Sequence, residues 1–151
     1  MPNSKRTTCF IDTNIWLYAF IEKDDKTRSE TARGLIQETA PMLSTQVLNE
    51  VCVNLLKQAN FTEEQVCQLI ESFYEKYPVT ELNKSVLLTA SQLRQQYSLS
   101  FWDSTIIASA LSVGVSILYS EDLQHGLIIE RRLEVLNPFV QSSKLGADLE
   151  K

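Results

Sequence analysis

Thr8-Cys9-Phe10-Ile11-Asp12-Thr13-Asn14 is the stretch around which the chain is organised. Cys9, Phe10 and Ile11 form an unbroken apolar run, the pattern of a parallel strand covered on both faces. Asp12 falls where that strand would end, and two small polar residues follow it. In open α/β sheets ligands gather beyond the carboxyl ends of the strands, near the point where strand order reverses. An acid in that place is better suited to chemistry than to packing.

Outward from this stretch, strand and helix patterns alternate. Ile15 to Ile21 is apolar and opens a helix with Asn14 near its start. Lys23 to Lys26 form a charged break, and a second helix runs from about Thr27 to Glu38. Pro41 to Thr45 reads as a short strand ending in capping residues. The helix that follows, Thr45 to Gln58, carries Val47, Leu48, Val51, Cys52, Leu55 and Leu56 as a broad apolar stripe, with Glu50 at its edge. Thr62-Glu63-Glu64-Gln65 is a capping box for a helix reaching about Lys76. Pro78 to Leu82 fits a short edge strand.

Lys84 to Tyr97 is again periodic as a helix, and the connector Ser98 to Trp102 leads to Asp103. Asp103 begins a helix of small and apolar residues, suited to the interior, that stops at Gly114. Val115 to Tyr119 is the next strand and ends in Ser120-Glu121-Asp122, and Leu133 to Leu136 is the last. With short loops and no hairpin signal, the pattern predicts a three-layer α/β fold with a central parallel sheet. No linker or repeat interrupts it, so residues 1–151 are expected to form one domain, with its core over about 8–136 and a polar tail over 141–151.

Composition narrows the function classes. The 151 residues suffice for one sizeable core. Cys9, Cys52 and Cys67 are an odd set without CxxC spacing, and His125 is the sole histidine. A disulfide scaffold and a structural zinc site are therefore excluded, and the cysteines read as core. No signal peptide or membrane-spanning run is visible, which points to the cytoplasm. The net charge of −5 does not suggest a basic nucleic-acid face. Either the ligand is not a polyanion, or a metal neutralises a concentrated acidic site.

Four acids stand next to predicted core: Asp12 and Asp122 after strands, Asp103 at a helix start, and Glu50 beside a buried stripe. Unpaired carboxylates in such places are costly and repel one another, and a divalent cation resolves both problems. An oxygen-only donor set suits magnesium, manganese or calcium. Thr13, Asn14 and Ser120 can orient the acids or their waters. Taken singly, each acid has a plainer reading: Asp103 as a helix cap, Glu50 as a surface residue. Glu121 is expected to face solvent, His125 to be structural, and Trp16, Phe101 and Trp102 to be core or interface rather than base-stacking platforms.

Taken together, these blocks resemble the PIN-domain nucleases. The resemblance rests on Asp12-Thr13-Asn14 after the first strand, Glu50 in an early helix, Asp103-Ser104-x-Ile106-Ile107-Ala108-x-Ala110, and Ser120-Glu121-Asp122-Leu123 after a late strand. The nearest likeness is to VapC-type toxins of type II toxin–antitoxin pairs. It covers about Thr8 to Val135. It implies strand order 3-2-1-4-5, a magnesium or manganese pocket, endoribonuclease activity on RNA, a cognate antitoxin and a homodimer. It also implies Asp12, Glu50, Asp103 and Asp122 as the acidic quartet, with Ser120 in the small-hydroxyl position. The Ser-x-Asp spacing favours Asp122 over Glu121. In the expected mechanism Asp12, Asp103 and Asp122 bind one or two cations that activate water, and Glu50 binds through water or accepts a proton. Two rivals remain: a catalytically silent PIN-like binding module, and an aspartyl phosphotransferase or phosphatase with Asp12 as nucleophile. The second usually needs another acid two residues on, where this chain has Asn14.

Overall fold

The computed structural model describes residues 6–22 and 25–140. Part of the charged break, residues 23–24, and the polar tail from 141 lie outside the described residues.

Six strands form one sheet: β1 (Thr8–Ile11), β2 (Ala40–Ser44), β3 (Val79–Thr80), β4 (Ile117–Tyr119), β5 (Ile128–Ile129) and β6 (Leu133–Leu136). Their spatial order is β3-β2-β1-β4-β6-β5. Every pairing is parallel except that of β5 with β6. The order 3-2-1-4-5 expected for the five strands read from the sequence therefore holds, with Leu133–Leu136 as the fifth and β5 added at the edge.

The added strand corrects the expectation of no hairpin. Glu130 and Arg131 form a two-residue turn with φ of 54° and 58°, closed by the Arg132 N–H donating to the Ile129 carbonyl at 2.9 Å. Such turns normally carry Asn or Gly, which tolerate positive φ, so this pair sends no sequence signal.

The helices are α1 (Thr13–Phe20), α2 (Lys26–Glu38), α3 (Thr45–Gln58), α4 (Glu63–Lys76), α5 (Lys84–Gln96) and α6 (Phe101–Ser112). Chain direction runs from β1 outward to β2 and β3, then returns across β1 to β4. Right-handed crossovers place helices of the outward leg on one face and those of the return leg on the other. The packing agrees: α1 lies against α2 and α3, α3 against α4, and α5 against α6. Strand order reverses between β1 and β4, which makes the crevice beyond their carboxyl ends the expected ligand position.

Local chemistry fixes the element ends. Asp12 caps α1, Ser44 caps α3, and Thr62 with Gln65 completes the capping box of α4. Ser100 caps α6, so Phe101 and Trp102 belong to its first turn ahead of Asp103, and the helix starts two residues earlier than expected. Gly114, with φ of 78°, supplies the left-handed residue just past α6. From Ser104 to Leu111 every residue of α6 is buried. Phe10, Ile11, Leu43, Leu118 and Val135 meet it and the other helices in one core. Trp16 is buried, its ring 5.0 Å from those of both Phe73 and Tyr77, and its indole N–H donates to the Ile11 carbonyl at 3.0 Å. That bond ties α1 back to β1 and sets the corner that carries Asp12.

Removing the Ile107 side chain tests this packing. Ile107→Ala, at a fully buried position, should lower unfolding free energy by about 2–5 kcal/mol in urea denaturation.

Candidate active site

The carboxyl ends of β1 and β4 meet in a cavity of about 300 Å³. Asp12, Glu50, Asp103 and Asp122 all line it, and among the described residues its walls include no Lys, Arg or His. The acids arrive from four places. Asp12 caps α1, Glu50 lies on α3, Asp103 is in the first turn of α6, and Asp122 follows β4.

Each carboxylate except one is held by a polar neighbour. The Asp12 N–H donates to the Tyr119 carbonyl at 3.0 Å, extending the β1–β4 ladder by one residue. Asp12 Oδ1 accepts from the Thr13 N–H at 2.7 Å, and Oδ2 accepts from Ser120 Oγ at 2.9 Å. Thr13 Oγ1 donates to Glu50 Oε1 at 2.7 Å, and Asn14 Nδ2 donates to Asp122 Oδ2 at 3.1 Å. Asp103 has its N–H capped by Ser100 Oγ at 3.1 Å, while its carboxylate has no hydrogen-bond partner among the described residues.

Burial pushes the Asp12 carboxyl up from 3.8 to about 6, against the Thr13 and Ser120 hydrogen bonds, and the charges of Asp122 and Glu50 add to the rise. The site therefore stores negative charge that the protein itself does not offset.

Glu121 does not face solvent. Its carboxylate, 18% exposed, accepts from Arg28 at 2.7 Å and from the Tyr18 hydroxyl at 3.1 Å. Arg28 lies over the rings of Tyr18 and Phe139. This outward anchor leaves Asp122 as the acid of that pair in the cavity wall. Cys67 also departs from expectation: it is exposed, whereas Cys9 and Cys52 are core. His125 is structural, its Nδ1 accepting from the Asn137 N–H at 2.9 Å. Trp16 is core, but Phe101 and Trp102 are 59% and 63% exposed.

Two polar lining residues, Gln46 and Asn54, escaped the sequence reading, and Trp102, read as core or interface, also lines the cavity. Gln46, four positions before Glu50, has a buried amide whose nitrogen and oxygen both lack a partner among the described residues. Asn54 donates to the Glu50 carbonyl at 2.8 Å, and Trp102 stands beside Asp103. Gln46 and Asn54 lie on the same helix as Glu50, so a search for amides near the acid would have found them. Asn14 and Asn54 also line an adjoining cavity of about 460 Å³.

Whether the site suits a cation turns on its donors. All four acidic side chains offer hard oxygen, and the orphaned Gln46 amide can bond a water or ligand inside the cavity. Yet among the described residues no three Asp, Glu, His or Cys side chains are gathered closely enough to hold an ion by themselves. Asp12, Asp103 and Asp122 nonetheless line the same cavity. The Ser120, Thr13 and Asn14 bonds fix oxygens of Asp12, Glu50 and Asp122 around one space. The arrangement fits an ion that takes one or two carboxylates and keeps several waters, as magnesium does.

The family model of the PIN domain matches residues 9–137, and the chain belongs to the PIN-domain family. Its fold is similar to that of a toxin–antitoxin complex from Klebsiella pneumoniae, at TM-score 0.66 and 20% identity over 87% of this chain and 98% of that one. It is similar to Mycobacterium tuberculosis VapC20, a sarcin–ricin loop cleaving toxin, at TM-score 0.61 and 21% identity over 76% and 91%. It is also similar to DNA-bound VapBC from Salmonella typhimurium, at TM-score 0.64 and 16% identity over 87% and 98%. No curated protein matches the sequence.

The raised Asp12 carboxyl gives a signed pH dependence. The folded chain holds this proton more tightly than the unfolded chain, so the stability it contributes is fully present below pH 3.8 and is lost as pH rises through about 6. In chelator, Asp12→Asn should match the parent near pH 4. At pH 7.5 it should exceed the parent by on the order of 2 kcal/mol in denaturant unfolding. A difference that does not change with pH would remove this account of the site.

Proposed function

We propose that the chain is a divalent-metal-dependent endoribonuclease and the toxin of a type II toxin–antitoxin pair. The observation that carries this reading is the convergence of Asp12, Glu50, Asp103 and Asp122 on one cavity with no cation in its walls. Membership of the PIN-domain family and the likeness of fold to structures named as toxins support it. The toxin named for cutting the sarcin–ricin loop directs the reading toward RNA.

Magnesium or manganese would be held by Asp12, Asp103 and Asp122, directly or through water. When bound, the ion supplies Lewis-acid polarisation of the scissile phosphate and lowers the pKa of the attacking water. The chain's own residues do the rest. Ser120 and the Thr13 N–H fix both oxygens of Asp12, which suits an anchor and not a covalent nucleophile. Thr13 holds one oxygen of Glu50, leaving Glu50 to take the proton of the attacking water as the phosphodiester bond breaks. Asn14 orients Asp122. The open carboxylate of Asp103 and the amide of Gln46 are the groups left to meet what enters.

The same reading gives the chain a cognate antitoxin as partner, since the similar structures include complexes named VapBC. It also makes the protein a homodimer, and the exposed Leu87 and Leu88 of α5 offer apolar surface for self-association. No helix among the described residues is long and apolar enough to cross a membrane, and the three thiols are free, as a reducing cytoplasm requires.

The test is cleavage of an RNA by the purified chain with manganese. Asp12→Asn and Asp103→Asn should each slow cleavage by about a hundredfold or more, and chelator should abolish it. Undiminished cutting by either variant would refute the assignment.

A further inference from the structure

Phe101 and Trp102 are the most exposed large apolar side chains among the described residues, at 59% and 63%. They are also built into place. Their rings meet edge to face with centroids 5.9 Å apart. The Arg94 guanidinium lies 4.2 Å from the centre of the Phe101 ring and donates to Ser104 Oγ at 2.7 Å, and Ser104 Oγ donates to the Phe101 carbonyl at 2.7 Å. Arg94 thus braces Phe101 from α5, and Phe101 braces Trp102. Trp102 itself lines the acidic cavity beside Asp103 and Asp122.

Charge alone does not hold a polyanion here. The chain carries −5, and the cavity walls add acids without a basic side chain, so release of counterions by Lys and Arg contributes little to binding. Stacking of a base on an aromatic ring does not depend on protein charge and strengthens binding by about tenfold or more per base. Trp102, continuous with the cavity that would hold the phosphate, supplies such a ring. A base inside a duplex has both faces covered by its neighbours, whereas an unpaired base has a face to offer.

We propose that Trp102, braced by Phe101 and Arg94, stacks on an unpaired nucleobase next to the scissile phosphate and so positions that phosphate at the acidic cavity. This rests on the nuclease reading above and adds to it a residue that positions the substrate.

Tryptophan fluorescence tests it. The chain has two tryptophans, and Trp16 is buried, so quenching by a ligand reports Trp102. In the cleavage-impaired Asp12→Asn chain with magnesium, a short oligoadenylate should quench the emission. The same strand paired with oligouridylate should bind more weakly and quench little. Adding Trp102→Ala should weaken oligoadenylate binding by about tenfold, while Trp102→Phe keeps it within about threefold because a ring remains. Circular dichroism checks that both variants fold, as the exposure of this side chain predicts.

Equal affinity of the Trp102→Ala and parent chains for oligoadenylate would overturn the proposal. So would that result accompanied by a changed oligomeric state in size-exclusion chromatography, which would make the ring pair a protein contact. Cleavage by the otherwise unaltered chain is measured alongside. If it persists undiminished in Trp102→Ala, only the stacking role falls. If the unaltered chain neither cuts nor binds RNA, the nuclease reading falls with it.

Discussion

One buried hydroxyl joins the two strand ends on which the site is built. Ser120 Oγ donates to Asp12 Oδ2 and accepts from the N–H groups of Asp122 and Leu123. A hydroxyl has one proton to give and two lone pairs to receive with, and here all are used. The bond to Asp12 steadies a carboxylate that burial and its acidic neighbours push toward the neutral form. The two accepted bonds shape the turn after β4, sending Asp122 toward the cavity and Glu121 toward Arg28. Asp12, Asp122 and their spacing thus depend on a side chain that itself contacts no solvent.

Topology explains why acids from distant parts of the sequence meet. Reversal of strand order between β1 and β4 opens a crevice, and helices approach it from both faces of the sheet. Glu50 comes from the outward leg of the chain and Asp103 from the return leg. The cost is visible in the same place. Asp12 resists ionisation, the Gln46 amide is buried without a partner, and Trp102 leaves an aromatic ring in water. Departures from a well-satisfied interior that cluster at one spot are the mark of a functional site.

Much of this was legible from residues alone. The apolar run of β1, the capping box at Thr62, and the stripe of α3 from Thr45 to Gln58 are local patterns, and local patterns survive into the fold. What escaped depended on partners remote in sequence or on backbone that the residue types do not announce. Glu121 looks like a surface acid until Arg28, on α2, is brought to it. The β5–β6 turn uses Glu130 and Arg131 at positive φ, where neither residue type is expected. Phe101 and Trp102 read as core or interface in a connector, whereas Ser100 caps α6 ahead of them and starts the helix with both rings outward. Gln46 shares α3 with Glu50, but its burial without a partner among the described residues is what sets it apart from other helix amides.

The central claim is that these four carboxylates surround a place for a divalent ion. Crystals of the chain grown with manganese, with anomalous diffraction recorded above the manganese absorption edge, test it most directly. The account predicts an anomalous peak inside the cavity, within coordination distance of at least one carboxylate oxygen of Asp12, Asp103 or Asp122. Manganese bound elsewhere on the protein, with only water between these acids, would contradict it.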